Sequence, residues 1–406
     1  MKTAAGEITP LWRNRDYNVL WVSQVVSELG AAMSQLAFPL LVIFGSGSVV
    51  EIGVVVSARA AARFVAGLPA GALADRYSRK KIMLCCRGTL VVGYTSLVVA
   101  LLFGAATFPH ILATTILAGA ASALFGPAEE AALPSIVPRS QLSTTVARNT
   151  ARTYLAGLIG PAVGGALFGI HRVLPFLVDA VTSALSFVGL LFVRLPHRRV
   201  ERDTNLGQEM WAGLVWVARQ RAIAATLVWV VLSNTVFSAM LVPILAMSGE
   251  KDTPPGELGL MMTTLSVGGL IGAAIAPRLH AALPAPVIVI GVSWIAALLT
   301  PLLAFCSTAL QFGLVLAMVM VFAPTANTTI ITYQMMTAPD EFRGRTRGAV
   351  RLGTGMAGAL GPMLGGVLTA VTGGRNVVLV CVAALLVVAV ATTASPTIRG
   401  LAGKDR

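Results

Sequence analysis

Charged residues are scarce in this chain, and long stretches have none. Asp, Glu, Lys and Arg make up 12% of the 406 residues, whereas a soluble domain typically carries roughly 25%. The longest charge-free stretches are residues 88–128 and 279–339. Each is long enough for two membrane-spanning helices of about 20 residues. The composition therefore excludes an ordinary soluble enzyme and predicts a polytopic α-helical membrane protein.

Acidic residues are few, and the chain carries 17 of them against 30 Lys and Arg, for a net charge of +13. When twelve spans are drawn with the N-terminus inside, 24 of the 30 basic residues fall on the cytoplasmic side. This is the bias that the positive-inside rule describes. The basicity therefore reflects membrane topology and predicts no nucleic-acid partner. We expect a multi-pass protein of the inner (plasma) membrane with both termini in the cytoplasm.

Motifs for metal binding, redox chemistry and catalysis are missing. The four cysteines lie in or beside apolar spans and form no C-x-x-C pair, which argues against a disulfide or a metal site. The sequence contains no H-E-x-x-H, G-x-S-x-G or G-x-x-x-x-G-K-[ST] motif. We therefore expect neither an enzyme nor an ATP-driven pump, and no cofactor.

An internal repeat divides the chain into two halves. The sequence AGLIGPAVGG at 156–165 matches AGALGPMLGG at 357–366. Parallel repeats of six spans place a substrate site near the bilayer midplane between the halves. We therefore predict an all-α fold of twelve transmembrane helices, in two pseudo-symmetric six-helix halves around a central cavity. A monomer would contain this cavity completely.

The predicted domains are a first half at 1–193, a cytoplasmic linker at 194–221 and a second half at 222–406. In the linker, an apolar stripe predicts a short interfacial helix. Its members are Met210, Trp211, Leu214 and Val217.

Charged residues inside the predicted spans are candidates for function, because burying a charge in the bilayer is costly. We expect proton coupling from the charged residues Glu28, Arg59, Arg63, Arg87, Glu129 and Glu130. Glu28 lies near the middle of the first span, so it either exchanges a proton during transport or forms a permanent pair with Arg59. Asp179, in the sixth span, is interpreted as a helix-packing or capping residue.

Glu129 and Glu130 are neighbours in the fourth span and point about 100° apart. One is expected to pair with Arg87 while the other faces the substrate or protons; alternatively, both reach cytoplasmic water. Uncharged polar residues of the spans are expected in the substrate cavity, although Asn234 and Asn327 could instead bond a neighbouring helix. They are Gln24, Gln35, Asn234 and Asn327.

The loop after the second span carries a family resemblance. Residues 71–80 read GALADRYSRK and resemble the G-x-L-x-D-R-x-G-R-[RK] signature of the major facilitator superfamily, with Ser78 in place of the second glycine. Residues 156–165 resemble the antiporter motif G-x-x-x-G-P-x-x-G-G, with Ala156 in place of the first glycine. The opening LWRNRDY at 11–17 looks like the drug-proton antiporter branch that contains macrolide-efflux and enterobactin-export proteins. The arginine that this branch usually has in the fourth span is absent, and Arg87 is a candidate substitute.

The resemblance implies a secondary transporter that works by alternating access. It would export a lipophilic or amphipathic small molecule, such as a drug, a natural product or a siderophore, in exchange for protons. The resemblance further implies a latch between the halves from Gly71, Asp75, Arg76, Arg79 and Lys80. In the antiporter-like motif, the small glycines allow close helix approach and Pro161 favours a kink. Gly157, Gly160, Pro161, Gly164 and Gly165 therefore predict either a hinge or a tight seam in the gate, or plain tight packing of helices. The alternative is a lysophospholipid flippase or an uncoupled facilitator of the same fold.

Overall fold

The structure is a computed structural model and describes residues 10–195, 215–217, 219–249 and 253–400. The first half contains six helices: α1 (Arg15–Ile43), α2 (Val49–Arg76), α3 (Arg79–Leu102), α4 (Phe108–Ile136), α5 (Leu142–Ile170) and α6 (Leu174–Phe192). The second half contains α7 (Arg221–Gly249), α8 (Pro255–Ala282), α9 (Ala285–Leu299), α10 (Ala309–Met320), α11 (Ala323–Thr337), α12 (Asp340–Thr372), α13 (Gly374–Ala394) and the short α14 (Pro396–Arg399). The described residues include no β-strand.

Eleven helical segments of the described chain are long and apolar enough to cross a membrane. One of them is α9 together with the 3-10 turn Thr300–Phe305, and another is α10 together with α11. Helix α2 is as long as these but more polar, because it carries Arg59 and Arg63 in its middle. It packs against α4 and α12 within the same bundle. The predicted all-α membrane fold is confirmed.

Local sequence signals set several helix ends. The Asn14 side chain accepts a hydrogen bond from the Tyr17 amide at the start of α1, and its amide nitrogen donates to the Ile136 carbonyl that ends α4. Ser48 caps α2 in the same way. These side chains pair the amides that a helix start leaves without a partner. Gly104 ends the turn after α3 with a φ of 68°, a left-handed conformation that favours glycine.

The two copies of the repeat make equivalent contacts in the two halves. On α5, a Cβ at Gly164, the equivalent of Gly365, would lie 2.7 Å from the Cα of Met33 on α1. On α12, a Cβ at Gly365 would lie 2.1 Å from the carbonyl oxygen of Ala239 on α7. Glycines allow helix backbones to approach this closely. The repeat therefore binds α5 to α1 in one half and α12 to α7 in the other.

The halves touch along two seams, both at the end of the bundle opposite the Asp75 loop. In the α5–α8 seam, formed by Pro161, Gly165 and Gly259, a Cβ on Gly259 would lie 2.4 Å from the Pro161 oxygen. In the α2–α12 seam, formed by Gly53, Pro362 and Gly366, a Cβ on Gly53 would lie 2.7 Å from the Pro362 oxygen. The repeated Gly-Pro segment thus closes each seam.

Two helices begin earlier than the charge pattern predicts. The charge pattern places the corresponding spans at 149–170 and 350–371, whereas helix α5 begins at Leu142 and α12 begins at Asp340. Arg152 and Arg351, which the positive-inside count assigned to cytoplasmic segments, therefore lie within helices. Three members of the predicted interfacial stripe, Met210, Trp211 and Leu214, lie outside the described residues. The division at 193 and 222 stays a prediction.

Candidate functional site

Three charged side chains from three helices meet inside the first half. Arg152 of α5 donates from Nη2 to Oε1 of Glu28 on α1 at 2.8 Å. It also donates to both carboxylate oxygens of Glu129 on α4, at 3.0 and 3.1 Å. We call Glu28, Glu129 and Arg152 the carboxylate cluster. Its arginine ties α1, α4 and α5 together.

The two carboxylates of this cluster differ in exposure and in how tightly they are held. Glu129 has a side chain that is 8% exposed and receives two bonds from Arg152. Glu28 is 27% exposed, receives one bond from Arg152 and accepts another from the Thr153 hydroxyl at 3.2 Å. One cation balances only one of two ionised carboxylates. Glu28 is therefore the more exposed and the less tightly held carboxylate of the cluster.

The partners predicted for these glutamates are wrong. Glu28 pairs with Arg152 and not with Arg59, and Glu129 pairs with Arg152 and not with Arg87. The sequence pattern did not predict Arg152 as a site residue, because α5 extends beyond its apolar core toward the N-terminus and Arg152 lies in that extension. A signal was present, since Arg152 lies one turn before Ala156 on the buried face of α5.

Glu130 is exposed whereas Glu129 is buried. Adjacent helix positions about 100° apart explain this difference. The chain thus offers an exposed acidic control next to the buried member of the carboxylate cluster.

Arg87 belongs to a separate polar network. It donates to the Gln24 side-chain oxygen, and Gln24 in turn donates to the Ser186 hydroxyl at 2.9 Å. The Arg87 guanidinium also lies over the ring of Phe125, 4.2 Å from its centroid, a favourable cation–π position. Gln24 is fully buried and connects α1 with α3 and α6, so it does not line a cavity as predicted.

Asp179 is fully buried at the junction of three helices. It accepts hydrogen bonds from Ser34 of α1 at 2.5 Å and from Ser183 of its own helix at 3.2 Å. The Ser34 hydroxyl lies 3.1 Å from the Tyr94 hydroxyl of α3. These bonds join α6 to α1 and α3 and offset part of the cost of burying a carboxylate.

Within the described chain, the remaining polar candidates form no ion pair or hydrogen bond with the carboxylate cluster. Arg59 is half-buried, and its Nη1 has no hydrogen-bond partner among the described residues. Gln35, Asn234 and Asn327 are exposed. The Asn234 amide donates to the Val230 carbonyl of its own helix at 2.8 Å.

Two basic residues at the start of α3, directly after the loop that follows α2, bind backbone carbonyls near helix ends of the first half. Arg79 donates to the Ala131 carbonyl of α4 at 2.7 Å. Lys80 donates to the carbonyls of Leu191 and Val193, at the end of α6, at 2.9 and 2.8 Å. Cations favour the carbonyl ends of helices. These hydrogen bonds fasten the loop within its own half, while Asp75 is half-buried.

Pro161 links the α5–α8 seam to hydroxyl groups of the second half. A proline has no amide hydrogen, so the Gly157 carbonyl one turn earlier loses its helical donor. The Ser266 hydroxyl of α8 lies 3.0 Å from this carbonyl and also 3.0 Å from the Met262 carbonyl of its own helix. Thr263 donates to the Leu158 carbonyl at 2.9 Å. The proline thus creates an acceptor that α8 satisfies across the seam.

Replacing Ser266 by alanine is expected to loosen the α5–α8 seam. The loss of one such hydrogen bond costs about 1 kcal/mol, or roughly fivefold in the balance between closed and open seam. A cysteine at Ala162, in a variant lacking the four native cysteines, should react about fivefold faster with a maleimide. Thr264→Ala removes a hydroxyl that bonds only its own helix and should leave the rate unchanged. Equal rates in Ser266→Ala and in the parent would contradict this role.

Comparison with known proteins identifies the family. The sequence model of the family described as Transmembrane secretion effector, which belongs to the major facilitator superfamily (MFS), matches residues 5–401. The chain is 24% identical over 387 residues to the enterobactin exporter EntS of Salmonella typhi, covering 91% of this chain and 92% of the relative. It is 26% identical over 392 residues to the multidrug efflux pump Tap of Mycolicibacterium fortuitum, covering 92% and 93%.

Solved structures agree on the fold. The crystal structure of a bacterial homologue of the iron transporter ferroportin matches with a TM-score of 0.70 at 16% identity, over 98% of this chain and 100% of that one. The resemblance seen in the sequence motifs is confirmed. The chain belongs to the Transmembrane secretion effector family of major facilitator superfamily transporters and is not an enzyme.

Proposed function

We propose that this protein exports a lipophilic or amphipathic small molecule across the inner membrane in exchange for protons. The observation that carries the proposal is the sharing of Arg152 by two carboxylates, of which Glu28 is partly exposed. The relatives add support, because the curated proteins it resembles are named as an enterobactin exporter and a multidrug efflux pump.

Glu28 carries the proton in this proposal. With both glutamates ionised, the carboxylate cluster has one negative charge in excess. A proton on Glu28 removes that excess and leaves Arg152 balanced by Glu129. The bond between α1 and α5 is then weakened while the bond between α4 and α5 stays in place.

Helix α5 connects the carboxylate cluster to the α5–α8 seam. Arg152 and Pro161 lie on the same helix, about 14 Å apart along its axis at 1.5 Å per residue. A change in the hydrogen bond between Arg152 and Glu28 of α1 therefore acts on α5, the helix whose Pro161 contacts Gly259 of the other half. This supports coupling between protonation of Glu28 and opening of the α5–α8 seam.

The orientation of the chain completes the proposal. With both termini in the cytoplasm, the two closed seams lie on the outer side of the membrane. The arrangement described above is then the inward-open state, in which Glu28 is accessible from the cytoplasm. The loop with Asp75 would join the two halves only after the transporter turns outward.

Efflux from whole cells tests the proposal. Cells expressing wild type, Glu28→Gln or Glu130→Gln are loaded with lipophilic dyes and antibiotics, with and without a protonophore. We expect protonophore-sensitive efflux from wild type and from Glu130→Gln, since Glu130 is exposed and outside the carboxylate cluster. Glu28→Gln should lose at least tenfold in rate at equal membrane abundance. Undiminished efflux by Glu28→Gln would place coupling elsewhere.

A further inference from the structure

Two arginines from opposite halves flank the same point of contact between α2 and α12. Arg63 precedes Phe64, whose ring lies against Gly355; a Cβ there would be 2.3 Å from Cδ2 of the ring. Arg351 lies on α12, one turn before Gly355. Both arginine side chains are exposed. The contact between Phe64 and Gly355 thus brings one arginine of each half to the same region.

On α2, Arg63 faces the interior of the molecule. The exposed apolar side chains Val65 and Leu68 lie about 140–160° around the helix from Arg63, at 100° per residue. Arg59, one turn before Arg63, shares its face. The buried Nη1 of Arg59 shows that this face points inward.

On α12, Arg351 faces the first half. It continues the row of Gly355, Gly358 and Pro362, which packs on α2. The exposed apolar residues Met356, Leu360 and Met363 lie on the other side of the helix. Arg351 therefore points toward α2 and the space between the halves rather than toward lipid.

No carboxylate of the described chain neutralises this pair. Arg63 experiences the positive charges of Arg59 and Arg351, and neither Arg63 nor Arg351 has an ion pair among the described residues. The carboxylates buried within the first half bind other groups: Glu28 and Glu129 bind Arg152, and Asp179 accepts from Ser34 and Ser183. Uncompensated charges within the membrane are costly and mark ligand sites.

We propose that Arg63 and Arg351, with Arg59 behind them, bind an anionic group of the exported molecule. The planar, forked guanidinium group binds a carboxylate through two parallel hydrogen bonds, so a lipophilic carboxylate is the substrate class that fits. The claim that the bound molecule is exported rests on the proposed function, whereas binding of the anion itself requires no proton coupling.

The depth of the site favours a substrate over a lipid headgroup. Arg63 lies near the middle of α2, about 20 Å along the axis from either end at 1.5 Å per residue. Headgroups lie at the surface of a hydrocarbon core about 30 Å thick. Because the ligand would bridge one arginine of each half, its binding would change the energy of separating α2 from α12.

Thermal stability of the purified protein in neutral detergent tests the site. The probes are 2-naphthoate and 2-naphthamide, which have the same ring system and differ in charge. We expect 2-naphthoate to raise the Tm of wild type by mass action. Arg63→Gln/Arg351→Gln should need at least tenfold more of it for the same shift. Arg375→Gln, an exposed arginine at the start of α13, should behave like wild type, and 2-naphthamide should act equally on all three.

Further variants guard against simple misfolding. Without ligand, Arg63→Gln and Arg351→Gln should each melt at or above wild type, because each removes a charge repelled by the other. Arg63→Lys should bind 2-naphthoate with intermediate strength, since lysine keeps the positive charge but lacks the forked guanidinium group that forms two parallel hydrogen bonds.

Two results would overturn the proposal. The first is that 2-naphthoate stabilises the double variant as well as wild type, or fails to stabilise wild type. The second is that phosphatidylglycerol stabilises wild type, but not the double variant, while 2-naphthoate has no effect; this would assign the arginines to lipid. Because detergent solution has no proton gradient, a failure of Glu28→Gln to impair efflux leaves this test intact.

Discussion

Arg152→Gln is expected to abolish export, with the largest effect of any single charge replacement in the first half. The change leaves Glu28 and Glu129 side by side without their shared cation. Breaking a buried ion pair by removing one partner costs about 3–5 kcal/mol. Efflux from whole cells should fall more than a hundredfold per molecule in the membrane, and the Tm of the purified protein should fall as well.

Two variants separate this role from a general loss of charge. Arg148→Gln, one turn earlier on α5, removes an exposed arginine and should leave efflux intact. Arg152→Gln/Glu129→Gln also removes the carboxylate that Arg152 held most tightly, so it should recover stability without recovering protonophore-sensitive efflux. Full efflux by the double variant would show that the carboxylate cluster only holds the helices together.

Gly259→Ala is expected to prevent closure of the α5–α8 seam. The added Cβ would lie 2.4 Å from the Pro161 oxygen and 3.2 Å from Cα of both Ala162 and Gly165. These are backbone atoms, which cannot move aside as a flexible side chain does. Efflux should fall more than tenfold, and a cysteine at Ala162 should become accessible to a membrane-impermeant maleimide.

Gly269→Ala is the matched control on the same helix, because a Cβ at Gly269 would have no atom within 4 Å. It should leave both efflux and labelling as in the parent. Wild-type efflux and labelling in Gly259→Ala would mean that the α5–α8 seam does not close during transport.

The fold was readable from the sequence because the membrane imposes simple rules. Charge-free stretches mark the spans, and the repeat at 156–165 and 357–366 marks the two halves. The same repeat predicted a hinge or a seam at Pro161, and the glycines around it do form close contacts between the halves. Backbone geometry of this kind follows from glycine and proline alone, so sequence is sufficient.

The partners of the buried charges could not be read in the same way. Positive-inside counting treats an arginine near a span end as a loop residue, and this misassigned Arg152. Its burial depends on two glutamates from α1 and α4 that are distant in sequence. Gln24 likewise lies one turn before Glu28 on α1, but it bonds Arg87 and Ser186. Which face of a helix meets which neighbour is decided by tertiary packing.

The central claim is that a proton at Glu28 is exchanged for the exported molecule. Everted membrane vesicles energised with lactate and containing a pH-sensitive dye test it directly. The added compound is one that wild-type cells are found to export. The account predicts that it partly collapses the pH gradient in vesicles with wild type or Glu130→Gln, and leaves the gradient unchanged with Glu28→Gln. An equal collapse with Glu28→Gln would contradict the account.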